Sequence, residues 1–256
     1  MDLVPVELYY EEFGQGFPVI LMHGYPLNHT IWMPVVERLQ AHARVITPDL
    51  RGHGKSPVTD GDYSMRLMAE DIHALMNRLD LQKAVLVGHS MAGYVSLAFA
   101  RAYPGRLAGL AMVASQAEAD SPEKRQGRYI TAEEVGRKGV RQVAKSMLPK
   151  LTPRKELTAD LMEIMLKTPK KGVIGTLKGM AERPDALEWL AEIEVPAVVV
   201  AGEQDVIIPL ERARTMTQML RRGWLVEIPE AAHMPMLETP QVVADAIQQL
   251  LDLAAV

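Results

Sequence analysis

A predicted strand runs into a serine, and a predicted helix begins directly after it. The strand is the apolar run 84–87, and the helix is the largely apolar stretch 91–103. Gly88 and Ala92 stand two residues before and two residues after the serine, Ser90. Both must be small because the backbone passes close to itself at a sharp strand-to-helix turn. The pattern therefore predicts a strained turn whose tip exposes the Ser90 hydroxyl.

The predicted position of Ser90 suits a nucleophile that attacks a carbonyl group. At a helix N-terminus, free backbone N–H groups and the helix dipole favour the negative charge that such an attack creates. The alternative interpretation is that Ser90 only caps a buried helix, as serine does in many proteins. The rest of the chain has to decide between the two.

Short apolar runs recur along the chain with helical stretches between them. This alternation predicts an α/β fold with a mostly parallel, doubly wound sheet. The predicted strands are 4–10, 18–22, 44–47, 84–87, 110–113, 197–201 and 224–228. The predicted helices are 32–40, 65–79, 91–103, 210–221 and 240–253. Because a short glycine-containing segment joins the first two strands, we expect them to form an antiparallel hairpin at one edge of the sheet.

The alternation breaks between residues 116 and 186, where charged residues and helix formers dominate. We predict a helical cap over residues 116–186, inserted into one large α/β core formed by residues 1–115 and 187–256. The cap contains several methionines, whose flexible and polarizable side chains suit a pocket for varied apolar groups. At helical spacing these methionines could equally pack the cap onto the core.

Composition narrows the possible partners. A net charge of −4 and a pI near 6.0 argue against nucleic acid and anionic membranes, because no basic patch is indicated. The chain has no cysteine, which excludes disulfides, a thiolate nucleophile and cysteine-based metal sites. No run is long and apolar enough to span a bilayer, and the first residues do not resemble a signal peptide. We expect a cytoplasmic monomer or homodimer that acts on a small molecule.

A serine hydroxyl needs a base near neutral pH, and His233 is the best candidate among seven histidines. It follows the last predicted strand, and loops beyond the carboxyl ends of parallel strands converge on one site in an open sheet. His42 and His73 lie in polar helical stretches and are expected at the surface. His89 adjoins Ser90 but points away from the tip of such a turn, which favours a packing or hydrogen-bonding role.

A carboxylate is then needed to hold the imidazole in one tautomer and to stabilise the imidazolium. Asp205 is the best candidate because it lies just past the penultimate predicted strand. Glu203 is two residues away, and Glu118 or Asp120 could serve in another arrangement, so these three alternatives stay open. With Asp205, the order along the chain is serine, aspartate, histidine.

Attack on a carbonyl also calls for two N–H donors to the oxyanion. The backbone N–H of Met91, directly after Ser90, is expected to be one of them. The second is expected from Tyr25, which follows a predicted strand and stands beside Gly24, where the backbone can approach closely. Gly24 could instead be only a turn residue.

Four motifs follow one another in a set order along the chain. They are His23-Gly24-Tyr25-Pro26 with Trp32 following, Asp49-Leu50-Arg51-Gly52-His53-Gly54-Lys55-Ser56, Gly88-His89-Ser90-Met91-Ala92-Gly93, and Gly202-Glu203-Gln204-Asp205 with His233. Together they resemble the α/β-hydrolase superfamily, specifically its small-cap serine hydrolases, and the likeness covers nearly the whole chain. The second motif is structural in that family. Position 92 departs from the strict pattern, since alanine stands where glycine is usual.

The resemblance implies an enzyme that needs neither a cofactor nor a metal. It implies that Ser90 is the nucleophile, His233 the base and Asp205 the residue that orients it, with the N–H groups of Tyr25 and Met91 as the oxyanion hole. The residues expected to contact substrate are Trp32, Met147, Met162 and Met165. Because the predicted cap is apolar yet short, we expect hydrolysis of carboxylic esters with short to medium acyl chains.

The residues exclude some other activities of the same family and leave others open. Haloalkane dehalogenases and epoxide hydrolases carry an aspartate nucleophile, whereas position 90 is serine. Tyr25 interrupts the glycine-rich segment typical of proline iminopeptidases and of carbon–carbon bond hydrolases. Lactonases and cofactor-free haloperoxidases or perhydrolases share the triad and stay open. The non-enzymatic alternative is a hydrolase-like protein that binds a small ligand without turnover.

Overall fold

A seven-stranded sheet forms the centre of the computed structural model, which describes residues 3–255. The strands are β1 (Tyr10–Phe13), β2 (Pro18–Met22), β3 (Arg44–Pro48), β4 (Ala84–His89), β5 (Leu107–Val113), β6 (Ala197–Gly202) and β7 (Gly223–Ile228). Their order across the sheet is β1-β3-β2-β4-β5-β6-β7. β1 is antiparallel to β3, and all the other neighbours are parallel. The predicted fold class is confirmed.

The first edge of the sheet differs from the prediction in two ways. The first strand covers Tyr10–Phe13 rather than 4–10, and it pairs with β3, so the expected hairpin with β2 is wrong. The reason lies in the glycine turn between β1 and β2. A Cβ at Gly14, where φ is +67°, would lie 2.2 Å from the carbonyl oxygen of Gln40. The turn thus passes against the connection that precedes β3, and β2 reaches the far side of β3.

Helices cover both faces of the sheet. Within the described residues they are α1 (Met33–Leu39), α2 (Met65–Arg78), α3 (Met91–Ala102), α4 (Pro122–Lys138), α5 (Arg141–Leu151), α6 (Thr158–Lys167), α7 (Lys170–Ala181), α8 (Leu187–Leu190), α9 (Leu210–Met219), α10 (Pro235–Glu238) and α11 (Pro240–Ala254). None of the helices in the described part of the chain is both long enough and apolar enough to cross a membrane.

Two apolar layers lie on opposite faces of the sheet because successive side chains of a strand point to opposite sides. In β2, Ile20 and Met22 belong to one layer, whereas Val19 and Leu21 belong to the other. The first layer includes side chains of α2 and α3, and the second includes side chains of α1 and α11. Burial on both faces explains why the central strands are nearly continuous apolar runs.

The segment 116–186, named here the cap segment, contains α4 to α7. α7 contacts both α4 and the loop before α2, where the Tyr63 N–H donates to the carbonyl oxygen of Gly175 at 2.9 Å. The division of the chain at residues 115 and 187 into core and cap stays a prediction.

Candidate active site

Ser90 occupies a strained turn between β4 and α3. Its backbone has φ +50° and ψ −113°, a conformation that costs free energy in a residue with a side chain. The turn is held by the Ser90 N–H, which donates to the carbonyl oxygen of Val113 at 2.8 Å. A Cβ at Gly88 would lie 2.5 Å from the backbone of Ala92, so no larger residue fits there. Ala92 is fully buried, and the turn accommodates its methyl group.

His233 lies between Ser90 and Asp205. Its Nε2 is 2.9 Å from Ser90 Oγ, and its Nδ1 is 2.7 Å from Asp205 Oδ2. The three residues follow the carboxyl ends of β4, β6 and β7, which run parallel in one sheet. Strand geometry therefore brings together residues that are 28 and 143 positions apart in the sequence.

Asp205 is fixed by its own loop. Its Oδ1 accepts the N–H groups of Ile207 at 2.8 Å and Ile208 at 3.0 Å, which leaves Oδ2 to face the imidazole. Because a carboxylate can only accept hydrogen bonds, His233 Nδ1 donates to it and Nε2 is left to accept the Ser90 O–H. Asp205 and His233 are 7% and 3% exposed, so little water competes for these hydrogen bonds.

None of the three alternative carboxylates contacts His233. Glu203 is exposed, and Glu118 pairs with Arg212 at 2.8 Å. Asp120 pairs with Arg128 and, at 2.8 Å, with Arg183. Burial raises the pKa of Asp120, but hydrogen bonds from the two arginines outweigh it and lower the pKa to about 2.

The two candidate oxyanion donors lie at the ends of neighbouring strands. β2 and β4 pair in register from Val19 to Met22, with Met22 opposite Gly88. Tyr25 and Met91 each lie three residues beyond this pair, so both follow the carboxyl ends of adjacent strands. Met91 is the first residue of α3, and N–H groups in the first turn of a helix have no intrahelical acceptor.

Burial lowers the pKa of three histidines, His23, His53 and His89, and keeps their side chains neutral. His23 donates from Nδ1 to the Gly24 carbonyl oxygen and accepts the Leu50 N–H at Nε2, both at 2.9 Å. Burial lowers the pKa of His23 to about 4 and that of His53 to about 3. His89, whose pKa burial lowers well below the usual value, donates from Nε2 to the His233 carbonyl oxygen at 2.9 Å.

Ser115 is a residue of the turn that sequence reasoning missed. Its hydroxyl donates to the Ser90 carbonyl oxygen at 2.7 Å, and a Cβ at Gly93 would collide with it. A signal was available, because β5 ends beside β4 and a small polar residue two positions later would reach the turn. Ser115 therefore supports the turn from the neighbouring strand.

The residues predicted to bind substrate lie within the apolar layers. Trp32 and Met165 are fully buried in the layer that faces α1 and α11. Met162 is half-buried against the same layer, and Met147 packs against both layers. The assignment of these four residues to substrate binding stays a prediction.

Comparison with known proteins identifies relatives that share this fold. A thermophilic esterase from Thermogutta terrifontis superposes with a TM-score of 0.95 at 40% identity, over 98% of this chain and 95% of that one. An enol-lactonase from Burkholderia xenovorans LB400 superposes with a TM-score of 0.88 at 25% identity, over 96% of each chain. The AB hydrolase superfamily protein YisY of Bacillus subtilis is 28% identical over 95% of each chain. Residues 18–240 match the model of the alpha/beta hydrolase fold family, and the chain belongs to that family.

Proposed function

We propose that the protein is a serine hydrolase that cleaves carboxylic esters through an acyl-enzyme. One observation carries the proposal: Ser90 Oγ, His233 Nε2, His233 Nδ1 and Asp205 Oδ2 form a continuous chain of two hydrogen bonds of 2.9 and 2.7 Å. A serine at the tip of a strained turn, with a base within hydrogen-bond reach and a carboxylate behind it, is the arrangement that activates a hydroxyl nucleophile. The esterase from Thermogutta terrifontis is a relative of matching fold.

The first half of the reaction forms the acyl-enzyme. Ser90 Oγ attacks the carbonyl carbon of the ester while His233 Nε2 takes the hydroxyl proton. Asp205 accepts the Nδ1–H bond and stabilises the imidazolium. The backbone N–H groups of Tyr25 and Met91 donate to the oxyanion of the tetrahedral intermediate. The intermediate collapses, the alcohol leaves with the proton from His233, and the acyl group stays on Ser90.

The second half releases the acid. Water donates a proton to His233 Nε2 and attacks the acyl carbon, which gives the second tetrahedral intermediate. As this intermediate collapses, the bond to Ser90 Oγ breaks, His233 returns the proton to Ser90 Oγ, and the carboxylic acid departs. Every proton passes through one imidazole nitrogen. The hydrogen bond to Asp205 therefore has to keep Nδ1 protonated throughout.

Substrates of short to medium acyl length are supported by the packing of the cap segment. Buried apolar side chains of α5 and α7, including Val143, Leu177 and Met180, belong to the same apolar layer as Tyr25 and Met91. An apolar surface near the candidate oxyanion donors would accept apolar acyl groups, and we expect the short cap to limit their length. Equal kcat/KM values for two-carbon and sixteen-carbon acyl esters would contradict this preference.

A p-nitrophenyl ester series tests the proposal, with fluorophosphonate labelling followed by intact-mass measurement. Wild-type protein should turn over the esters and form one covalent adduct, and Ser90→Ala should do neither. Ser96→Ala is the matched control, because Ser96 lies on the same helix and its hydroxyl only donates to the Ala92 carbonyl oxygen. Folded wild-type protein without turnover or adduct would favour the ligand-binding alternative.

Lactone hydrolysis is the second candidate activity, favoured by the enol-lactonase of matching fold. A lactone opens by the same attack, but its leaving group stays attached to the acyl-enzyme. Comparing kcat/KM for five-membered lactones with acyclic esters of equal carbon number separates the two activities. Adding hydrogen peroxide to the ester assay tests perhydrolysis, in which peroxide replaces water in the second half-reaction.

A further inference from the structure

Glu238 is a buried carboxylate that the proposed reaction does not use. It ends α10, five residues after His233, and it is 4% exposed. Its Oε2 accepts the Ala232 N–H at 2.7 Å, and its Oε1 accepts the Thr152 hydroxyl at 2.6 Å. A buried carboxylate is costly unless hydrogen bonds compensate for lost hydration, so both contacts are needed to hold it there.

The two donors belong to different parts of the molecule. Ala232 immediately precedes His233, whereas Thr152 is the residue that follows α5 in the cap segment. Glu238 therefore joins the loop that carries the histidine to the end of a cap helix. The sequence distance from Thr152 to Glu238 is 86 residues.

A second contact joins the same two segments. The His233 N–H donates to the carbonyl oxygen of Leu151 at 3.1 Å. Leu151 is the last residue of α5, and carbonyl groups in the last turn of a helix have no intrahelical donor. On the other side, the His233 carbonyl oxygen accepts His89 Nε2–H at 2.9 Å. Both polar backbone groups of His233 are thus held, one by the cap segment and one by the strained turn.

We propose that Glu238 is a positioning residue that, with Thr152, fixes the backbone of His233 against the end of α5. The inference rests on the proposed function, because proton transfer requires one imidazole to reach Ser90 and Asp205 together. Productive geometry of this kind tolerates displacements of only about 0.5 Å. A loop held by Glu238 keeps the imidazole within that range, whereas a loop without it can move away from Ser90 Oγ.

Four variants separate positioning from mere folding. Thr152→Val removes the hydroxyl while keeping the shape, and Glu238→Met removes both acceptor oxygens at similar length. Glu238→Gln can keep both contacts, since its amide oxygen accepts the Ala232 N–H and its amide nitrogen donates to Thr152 Oγ1. Thr152→Ser keeps the hydroxyl.

Kinetics with p-nitrophenyl butyrate and hydrogen–deuterium exchange over residues 231–234 test the proposal. We expect Thr152→Val and Glu238→Met to lower kcat by about 10-fold or more, with KM changed less than about two-fold. We expect faster amide exchange at Ala232 and His233 in both variants. Glu238→Gln and Thr152→Ser should retain most of kcat and the slow exchange.

Unchanged kcat and exchange in Thr152→Val would overturn the proposal, and this mild variant keeps the test decisive if Glu238→Met fails to fold. A loss of kcat in Glu238→Gln equal to that in Glu238→Met would also overturn it, because the carboxylate charge would then be what matters. If wild-type protein does not hydrolyse esters, the proposed function fails. The exchange measurement then still decides whether Glu238 and Thr152 hold the His233 backbone.

Discussion

Two regions of the molecule are positioned by different means. One is the set of strand-end loops that carry Ser90, Asp205 and His233, and the other is the cap segment. β4 and β6, which precede two of these loops, are buried at every residue, so the sheet itself places the loops. In the cap segment, α4 buries only Ala132 and Val135. Apolar side chains of α5, α6 and α7 pack the cap onto the core, and at α7 a close approach of backbones is added to this packing. Apolar strands thus place the candidate triad, whereas the position of the cap also depends on residues that lack a side chain.

The close approach involves three glycines on one face of α7. A Cβ at Gly172 would lie 1.9 Å from the Gly52 carbonyl oxygen, and a Cβ at Gly179 would lie 1.7 Å from the Tyr63 carbonyl oxygen. Gly175 lies between them and would place a Cβ 2.8 Å from a backbone oxygen. Since these contacts are with backbone, no side chain can rotate to make room.

The largest expected effect concerns the strand-end loops and tests the role of Asp205. Asp205→Asn should lower kcat by a factor on the order of 10⁴, because an amide can hold the imidazole in the wrong tautomer. The protein should remain folded, as judged by circular dichroism. Glu203→Gln is the matched control, since this exposed carboxylate makes no contact with His233. Similar losses of kcat in the two variants would refute the assignment of Asp205.

The next largest effect concerns the cap segment and tests the backbone contact of α7. Gly179→Ala should lower the free energy of unfolding by about 2–3 kcal/mol, because its methyl group would overlap the Tyr63 carbonyl oxygen and force the backbones apart. Urea unfolding of both proteins measures the change. A variant as stable as the wild type would show that α7 can shift without cost.

The pH dependence of the free energy of unfolding tests the buried histidines near the strand ends. The folded pKa values of His23 and His53 are about 4 and about 3, while an unfolded histidine titrates near 6.5. Between these values the unfolded chain binds more protons, so the free energy of unfolding falls as the pH is lowered. Each histidine contributes at most about 1.4 kcal/mol per pH unit.

His29 acts in the opposite direction. Burial lowers its pKa, but Asp49 outweighs burial and the pKa is raised, so its stabilising contribution is present at low pH and is lost as the pH rises through the folded pKa. Urea unfolding at pH 7 and pH 5 should therefore show a net loss at pH 5, since the histidines with lowered pKa values, which also include His89, outnumber His29. His53→Asn should make the pH dependence shallower, and an unaltered dependence would argue against the neutral state of His53.

The smallest expected effect is a stabilisation. Gly136 is exposed in the last turn of α4, and a Cβ there would meet no atom within 4 Å. Gly136→Ala should raise the free energy of unfolding by about 0.5–1 kcal/mol, because alanine loses less backbone entropy in a helix. Thermal unfolding of Gly136→Ala and Gly179→Ala, each measured against the wild type, compares the two changes in stability. A destabilised Gly136→Ala would mean that α4 is sensitive to any change and not only to its contacts.

Local patterns in the sequence were enough to predict most of the fold. The central strands and the helices around them were located to within a few residues, because continuous apolar runs and helical periodicity report burial directly. The bounds and the partner of the first strand were predicted wrongly, because a sequence pattern does not show which strand an edge strand pairs with. The glycines of α7 carried no predicted role, since a helical glycine reveals its purpose only when its contact is known.

An α/β-hydrolase sheet with a serine at a strand-to-helix turn can be predicted from the sequence, because those features depend on residues close to one another. The contact of His233 with Asp205, and not with Glu203, Glu118 or Asp120, is visible only in the three-dimensional arrangement. The same holds for the contact of Glu238 with Thr152, 86 residues apart in the sequence. Pairings of this kind follow from the summed packing of many distant contacts, and no local pattern records that sum.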